Sequence, residues 1–349
     1  MHFLNNSLFL TVAGMATAMM RTMNIKQFVP PNRVREQAVC ADPGALQSCR
    51  SPIFRENGHG LIPTIVVAGF VPDAPEVVEY QRHIFRSYGS IYYVNFARNC
   101  FDLELFHAQL ADLITCLNAK GEQPVLFGVS FGAGLVVDFM RTHLCHDLKV
   151  GALALVSPVI CMKDLVRPRE ERRGGVRMLE SIICSILKAR SSGKADIDRQ
   201  IERTRRCFLN LFDAGARNRL LTSRHLSIRR KVMDVLRQTT ANGAIERLQA
   251  LQDFSRLNEV DRLFAGPVLA LLAEAEDSIL VPSSPTMATL RNPGCLNRVF
   301  PKGICREVSS ANADDPVTHA SLVFHHDCYN AVLSDWYGRY SAYFQGDVP

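Results

Sequence analysis

Short, unbroken apolar runs alternate along this chain with longer stretches in which apolar residues recur every three or four positions. The runs are PTIVVAGF (Pro63–Phe70), SIYYVNFA (Ser90–Ala97), PVLFGVS (Pro124–Ser130), VGALALVSPV (Val150–Val159) and, much later, the front of PVLALLAEAEDSILVP (Pro267–Pro282). They are rich in β-branched residues and have no polar face, which predicts strands buried on both sides, as in a parallel sheet. Between them Ala74–Arg86, Leu103–Gly121 and Ala133–Leu144 predict helices, the second closed by a glycine. Repetition of strand and helix predicts an α/β fold: a mostly parallel sheet flanked by helices. Val34–Val39 and Pro52–Arg55 predict two short strands upstream, and a last strand falls at Ile304–Val308. MATLRN (Met287–Asn292) predicts a short helix, and a final helix is expected from about Ala320 to Tyr343, where Leu322, Tyr329, Leu333 and Trp336 share a face.

The rhythm breaks over residues 160–263, which lack strand signals and carry Arg, Leu and Ile at helical spacing, with turns expected at Gly174–Gly175 and Ser191–Gly193. Because the strand pattern resumes afterwards, this segment reads as a helical cap inserted into one core, residues 32–159 and 264–349. Residues 1–31 stand apart. They hold Leu8–Met20, of signal-peptide length but without a basic residue before it, and too short to cross a bilayer. A signal, an anchor and a packed segment are all open readings there.

Composition narrows the class. With 349 residues, 47% hydrophobic and 21% charged, the chain has ample material for a large core and is not a disordered protein. The net charge of +6 is uneven: Lys163–Lys231 holds 19 Lys/Arg against 8 Asp/Glu, leaving the remainder at −5. A solvated helical face explains this, and contact of the basic cap with a membrane surface or anionic lipid is the sharper alternative. No nucleic-acid module or aromatic interleaving accompanies the charge, so nucleic acid is not an expected partner. The eleven cysteines are odd in number and show no C-x-x-C, a pattern of reduced, partly buried thiols. That favours a cytoplasmic location, with membrane association as a further reading.

The candidate chemistry lies in Gly128-Val129-Ser130-Phe131-Gly132, where a strand is expected to turn sharply into a helix. A serine on such a turn needs small residues two before and two after it, so that neighbouring backbones clear. Its hydroxyl then stands above the strand end, beside a helix N-terminus that favours developing negative charge.

With AGF, FGVSFGAG, LVSPV, PVLALLAEAEDSILVP and DPVTHASLVFH, the chain resembles the α/β-hydrolase family from about Pro63 to Tyr343, the insertion excepted. The resemblance implies a triad in the order Ser, acid, His. Ser130 is the implied nucleophile. The acid belongs after PVLALLA, where Glu274, Glu276 and Asp277 blur the register. Counting back from ILVP favours Asp277 and counting forward from Ala273 favours Glu276; Asp277 is the first choice and Glu276 the alternative. His319 is the implied base, with His325 and His326 placed inside the final helix, pointing away. The oxyanion hole would draw on the backbone N–H of Phe131 and of Phe70 or Val71. His325–Cys328 (HHDC) is a poor metal signature and reads as a helix-surface pair.

No metal or organic cofactor is called for by such chemistry. The implied activity is hydrolysis of a carboxylic ester through an acyl-enzyme, with a small acyl ester as partner. Met178–Ala189 and Arg206–Ala214 have apolar faces suited to a medium or long acyl chain, or simply to packing on the sheet. An acyltransferase or thioesterase with the same triad, and a non-catalytic binding protein on the same fold, are the rival classes.

Overall fold

The computed structural model describes residues 24–41, 46–143, 148–168, 170–171, 178–189, 194–216 and 219–345. The apolar Leu8–Met20 segment and the turns expected at Gly174–Gly175 and Ser191–Gly193 lie outside the described residues.

The apolar runs form the middle of one sheet: β3 (Thr64–Val67), β4 (Ile91–Val94), β5 (Val125–Val129), β6 (Ala152–Val156) and β7 (Pro267–Ala273). With β1 (Ile25–Phe28), β2 (Ile53–Glu56) and β8 (Lys302–Val308), the strands among the described residues run in the order β1-β2-β4-β3-β5-β6-β7-β8. The pairs from β4 to β8 are parallel, and β1 and β2 add an antiparallel edge. Residues of β3 to β6 are buried at every position, as continuous apolar runs require.

Each face of the sheet packs on its own helices. Ile65, Val67, Leu126, Leu153, Val268 and Ala270 meet α4 (Leu103–Asn118) and α5 (Phe131–His143). Val66, Phe127, Ala154, Val156 and Leu271 meet α3 (Arg82–Tyr88) and α12 (His326–Gln345). Side chains alternate between the layers as a strand period of two dictates. Each fully buried Ile, Leu, Val or Phe adds roughly 1.5–3 kcal/mol.

Between β6 and β7 come α6 (Met178–Ala189), α7 (Lys194–Gly215), α8 (Ser223–Gln238) and α9 (Ala241–Asp253). The last is fastened to the loop after β4. The Thr240 N–H donates to Arg98 O (3.0 Å), the Phe101 N–H donates to Glu246 (2.6 Å), and buried Arg247 donates to Ala97 O (2.5 Å). Much of the basic excess of this region is paired: Arg229 with Asp213 and Arg237 with Asp234 inside it, Lys231 with Glu76 and Arg224 with Glu79 across to the core. The acid surplus of the core and the basic surplus of the insertion therefore meet in part along their shared boundary.

Several expectations differ from the structure. Val34–Val39 is a helix, α1, not a strand. Asp112 of α4 accepts from the Arg35 and Glu36 N–H groups (3.3 and 2.9 Å), and this tertiary contact overrides the β preference of Val34 and Val39. Ala74–Arg86 divides into α2 (Ala74–Val77) and α3, and α10 (Pro285–Arg291) is followed by α11 (Pro293–Val299), which the pattern did not reveal. The final helix begins at His326 rather than near Ala320. Cys49 and Cys100 form a disulfide, against the expectation of reduced thiols, while Cys161 and Cys207 are buried as thiols. Among the described residues no helix is long and apolar enough to cross a membrane.

Candidate active site

β5 ends at Val129 and α5 begins at Phe131, leaving Ser130 alone at the corner with φ +52°. That left-handed conformation costs a non-glycine residue roughly 1–3 kcal/mol and persists only where the surroundings fix it. The Ser130 N–H donates to Val156 O (2.9 Å), and its carbonyl accepts from Ala133 (3.0 Å) and Val159 (3.1 Å). The flanking glycines are there for clearance. A Cβ on Gly128 would lie 2.6 Å from the Ala133 Cα, and one on Gly132 would lie 2.3 Å from the carbonyl oxygens of Val67 and Ala68.

His319 approaches from the loop after β8. Glu274 shapes that loop by accepting from the N–H groups of Ser310 (2.9 Å) and Val317 (2.6 Å), and a parallel bridge joins Ala275 to Thr318. His319 Nε2 lies 2.9 Å from Ser130 Oγ, and Nδ1 lies 2.5 Å from Glu276 Oε2. The other oxygen of Glu276 accepts from the Ala273 N–H (2.8 Å).

The acid facing the histidine is thus Glu276, and the preference for Asp277 is corrected. In the tight turn Glu276–Ser278 successive side chains point apart, so Glu276 turns inward and is 1% exposed while Asp277 is exposed. The three acids that blurred the sequence have separate places: Glu274 ties the histidine loop, Glu276 meets the imidazole, Asp277 faces solvent. Burial pushes the Glu276 carboxyl up, but the adjacent His319, a hydrogen bond from Ser157 and the Ala273 N–H outweigh it and hold the carboxyl below its usual range.

Ser157 went unnoticed in the sequence. It follows β6 with φ +44°, is fully buried, and accepts from the Ala320 N–H (2.8 Å). Its side chain thereby braces the residue after the histidine. The only sequence signal was its place at the end of an apolar strand.

The N–H of Phe131 belongs to the first turn of α5, whose leading amides have no intrahelical acceptor. Opposite it the loop after β3 passes close over the serine, an added Gly69 Cβ falling 3.3 Å from Ser130 Cβ. The Phe70 ring stacks on the Phe131 ring (centroids 4.5 Å apart) and stands 6.3 Å from Phe208 of α7.

Above these residues is a cavity of about 240 Å³, reached by Ser130 and His319 and walled by Ile182, Ile183, Ile186, Phe208, Leu211 and Leu248, among others. Among the described residues no Asp, Glu, Lys or Arg lines it. His325 and His326 do not form the expected surface pair. His325 precedes the helix, is buried, and faces Ser321 and Asp315; His326 stacks on Tyr80 (4.3 Å).

No protein-family model and no curated protein sequence matches the chain. Solved structures do. An esterase from Thermogutta terrifontis aligns over 83% of this chain and 94% of its own, with 13% identity and a TM-score of 0.54. MenH from S. aureus aligns over 83% and 98%, with 13% identity and a TM-score of 0.56. A bromoperoxidase from Bacillus anthracis aligns over 81% and 94%, with 16% identity and a TM-score of 0.54. At such identities the likeness concerns architecture, and with the strand order and the serine at its corner it establishes that the chain has the α/β-hydrolase fold.

Proposed function

We propose that the protein is a serine hydrolase that cleaves carboxylic esters with an apolar acyl group. The observation that carries this reading is the continuous line from Glu276 through His319 to Ser130 Oγ at the floor of an uncharged cavity. Glu276 accepts from Nδ1–H and fixes the tautomer that leaves Nε2 bare towards the serine. Nε2 takes the Ser130 proton as Oγ attacks the acyl carbonyl. The N–H groups of Phe131 and Phe70 serve as donors to the oxyanion, and the imidazolium returns its proton to the departing alkoxide. Water, activated by the same imidazole, then releases the acyl-enzyme.

The apolar walls of the cavity suit a medium acyl chain. Each methylene buried there is worth roughly 0.8 kcal/mol, about fourfold in kcat/KM, until the space is full.

The test is labelling by a fluorophosphonate, comparing the native protein with Ser130→Ala and His319→Ala. Labelling of the native protein alone supports the reading, and labelling that survives Ser130→Ala overturns it. A p-nitrophenyl ester series should rise with chain length to an optimum and then fall. A flat series removes the acyl assignment. Thioesters and alcohol acceptors, run in parallel, separate this hydrolase from a thioesterase or acyltransferase.

A further inference from the structure

Among the described residues, the cavity wall carries four hydroxyl-bearing residues besides Ser130: Thr204, Ser278, Thr318 and Ser321. Two of them have hydroxyl hydrogens directed into the protein, Thr204 to Gln200 O (2.8 Å) and Ser278 to Ala275 O (3.1 Å).

Ser321 is the most firmly committed. Its Oγ lies 2.8 Å from His325 Nδ1. His325 Nε2 lies 3.3 Å from the carbonyl oxygen of Asp315 and 3.4 Å from its carboxylate, and both of these only accept. The imidazole proton therefore sits on Nε2, and Nδ1 is left as an acceptor. Burial, reinforced by the Arg219 charge and only partly offset by Asp315, holds His325 below its ordinary pKa and favours the neutral ring. The hydroxyl of Ser321 must donate to Nδ1, because turning it away would strand a buried nitrogen. Its oxygen then has lone pairs and no proton to offer the cavity.

The triad chemistry uses none of this. Ser321 stands two residues beyond His319, its N–H closing the turn onto Thr318 O (3.1 Å), and lines the same cavity as the histidine that must protonate the departing alcohol. Resting on the hydrolase reading above, we propose that Ser321 Oγ accepts a hydrogen bond from a free hydroxyl on the alcohol part of the substrate. The preferred substrates are then medium-chain monoesters of a polyol, with the acyl chain in the apolar cavity. A simple alkyl ester leaves this acceptor without a donor.

The experiment compares kcat/KM for 1-octanoylglycerol, methyl octanoate and methyl 3-hydroxyoctanoate, each below its aggregation threshold. The wild-type protein should favour the glycerol ester over methyl octanoate by about tenfold, the size of one hydrogen bond to a buried acceptor. In Ser321→Ala that ratio should fall to within about twofold. Ser321→Cys keeps the volume but is a poor acceptor, and should give the same fall if the alanine variant does not fold. A mere packing role for Ser321 lowers all three rates together and preserves the ratio, which overturns the proposal. Equal wild-type rates on the glycerol and methyl esters overturn it too, as does a preference confined to the hydroxyacyl ester. Failure to cleave any of the three instead removes the hydrolase reading beneath it.

Discussion

Replacing Glu276 with glutamine changes one group, and the structure says how the amide must sit. The Ala273 N–H requires an acceptor, and Glu276 Oε1 supplies it at 2.8 Å. In the variant the amide oxygen takes that place, because an NH2 there would oppose one donor to another. The NH2 then faces His319 Nδ1 across the present 2.5 Å contact and demands an acceptor from it. The imidazole proton moves to Nε2 and points at Ser130 Oγ, so the ring can no longer take the serine proton. Conversion of a triad carboxylate to an amide by this tautomer mechanism costs about 10⁴-fold in kcat, about 5.4 kcal/mol. Asp277→Asn alters an exposed side chain and should stay within about threefold of wild type. Initial rates on p-nitrophenyl octanoate, with circular dichroism to verify folding, measure both. A collapse in Asp277→Asn while Glu276→Gln keeps more than about a tenth of the activity would refute the assignment of the acid.

Three further outcomes follow from the packing. Gly132→Ala forces a methyl to within 2.3 Å of two carbonyl oxygens and should cost about 3 kcal/mol or more, read as a clear drop in Tm; an unchanged Tm contradicts the clearance argument. Ile183→Trp fills part of the cavity and should shift the best p-nitrophenyl ester to a shorter chain, whereas an unchanged optimum places the acyl chain elsewhere. Burial, with His143 and Arg141 adding like charge, pulls His107 down to about 3, so the unfolded chain takes up the proton first. The stability this site contributes is complete above about pH 6.5 and is lost as pH falls towards 3, by at most about 1.4 kcal/mol per unit. Urea midpoints between pH 7 and pH 4.5 should therefore decline less steeply in His107→Leu, and parallel slopes refute this.

What the sequence revealed, and what it hid, have separate physical causes. β3 to β7 were legible because burial on both faces leaves an unbroken apolar run. Ser130 was legible because steric clearance dictates Gly128 and Gly132 locally. The acid was not, since which of Glu274, Glu276 and Asp277 turns inward depends on a short turn and on Ala273 and His319, not on residue type. Helix α1 depends on Asp112, 76 residues from Glu36, and the Cys49–Cys100 bond joins residues 51 apart; no local pattern encodes either. Ser157 and Ser321 share that difficulty. Their importance comes from what the fold brings beside them.

Ser130 and His319 are 189 residues apart, and the segment that orients the histidine hangs on the last strand of the sheet. During synthesis the serine, its corner and the whole helical insertion leave the ribosome before the base exists. Until β8 pairs with β7, the Ser130 hydroxyl lacks the imidazole beside it, and on the proposed mechanism the growing chain is inert towards esters and serine-directed reagents alike. On that mechanism a newly made molecule acquires its reactivity in one late step, and capture by such a reagent would count finished molecules rather than chains.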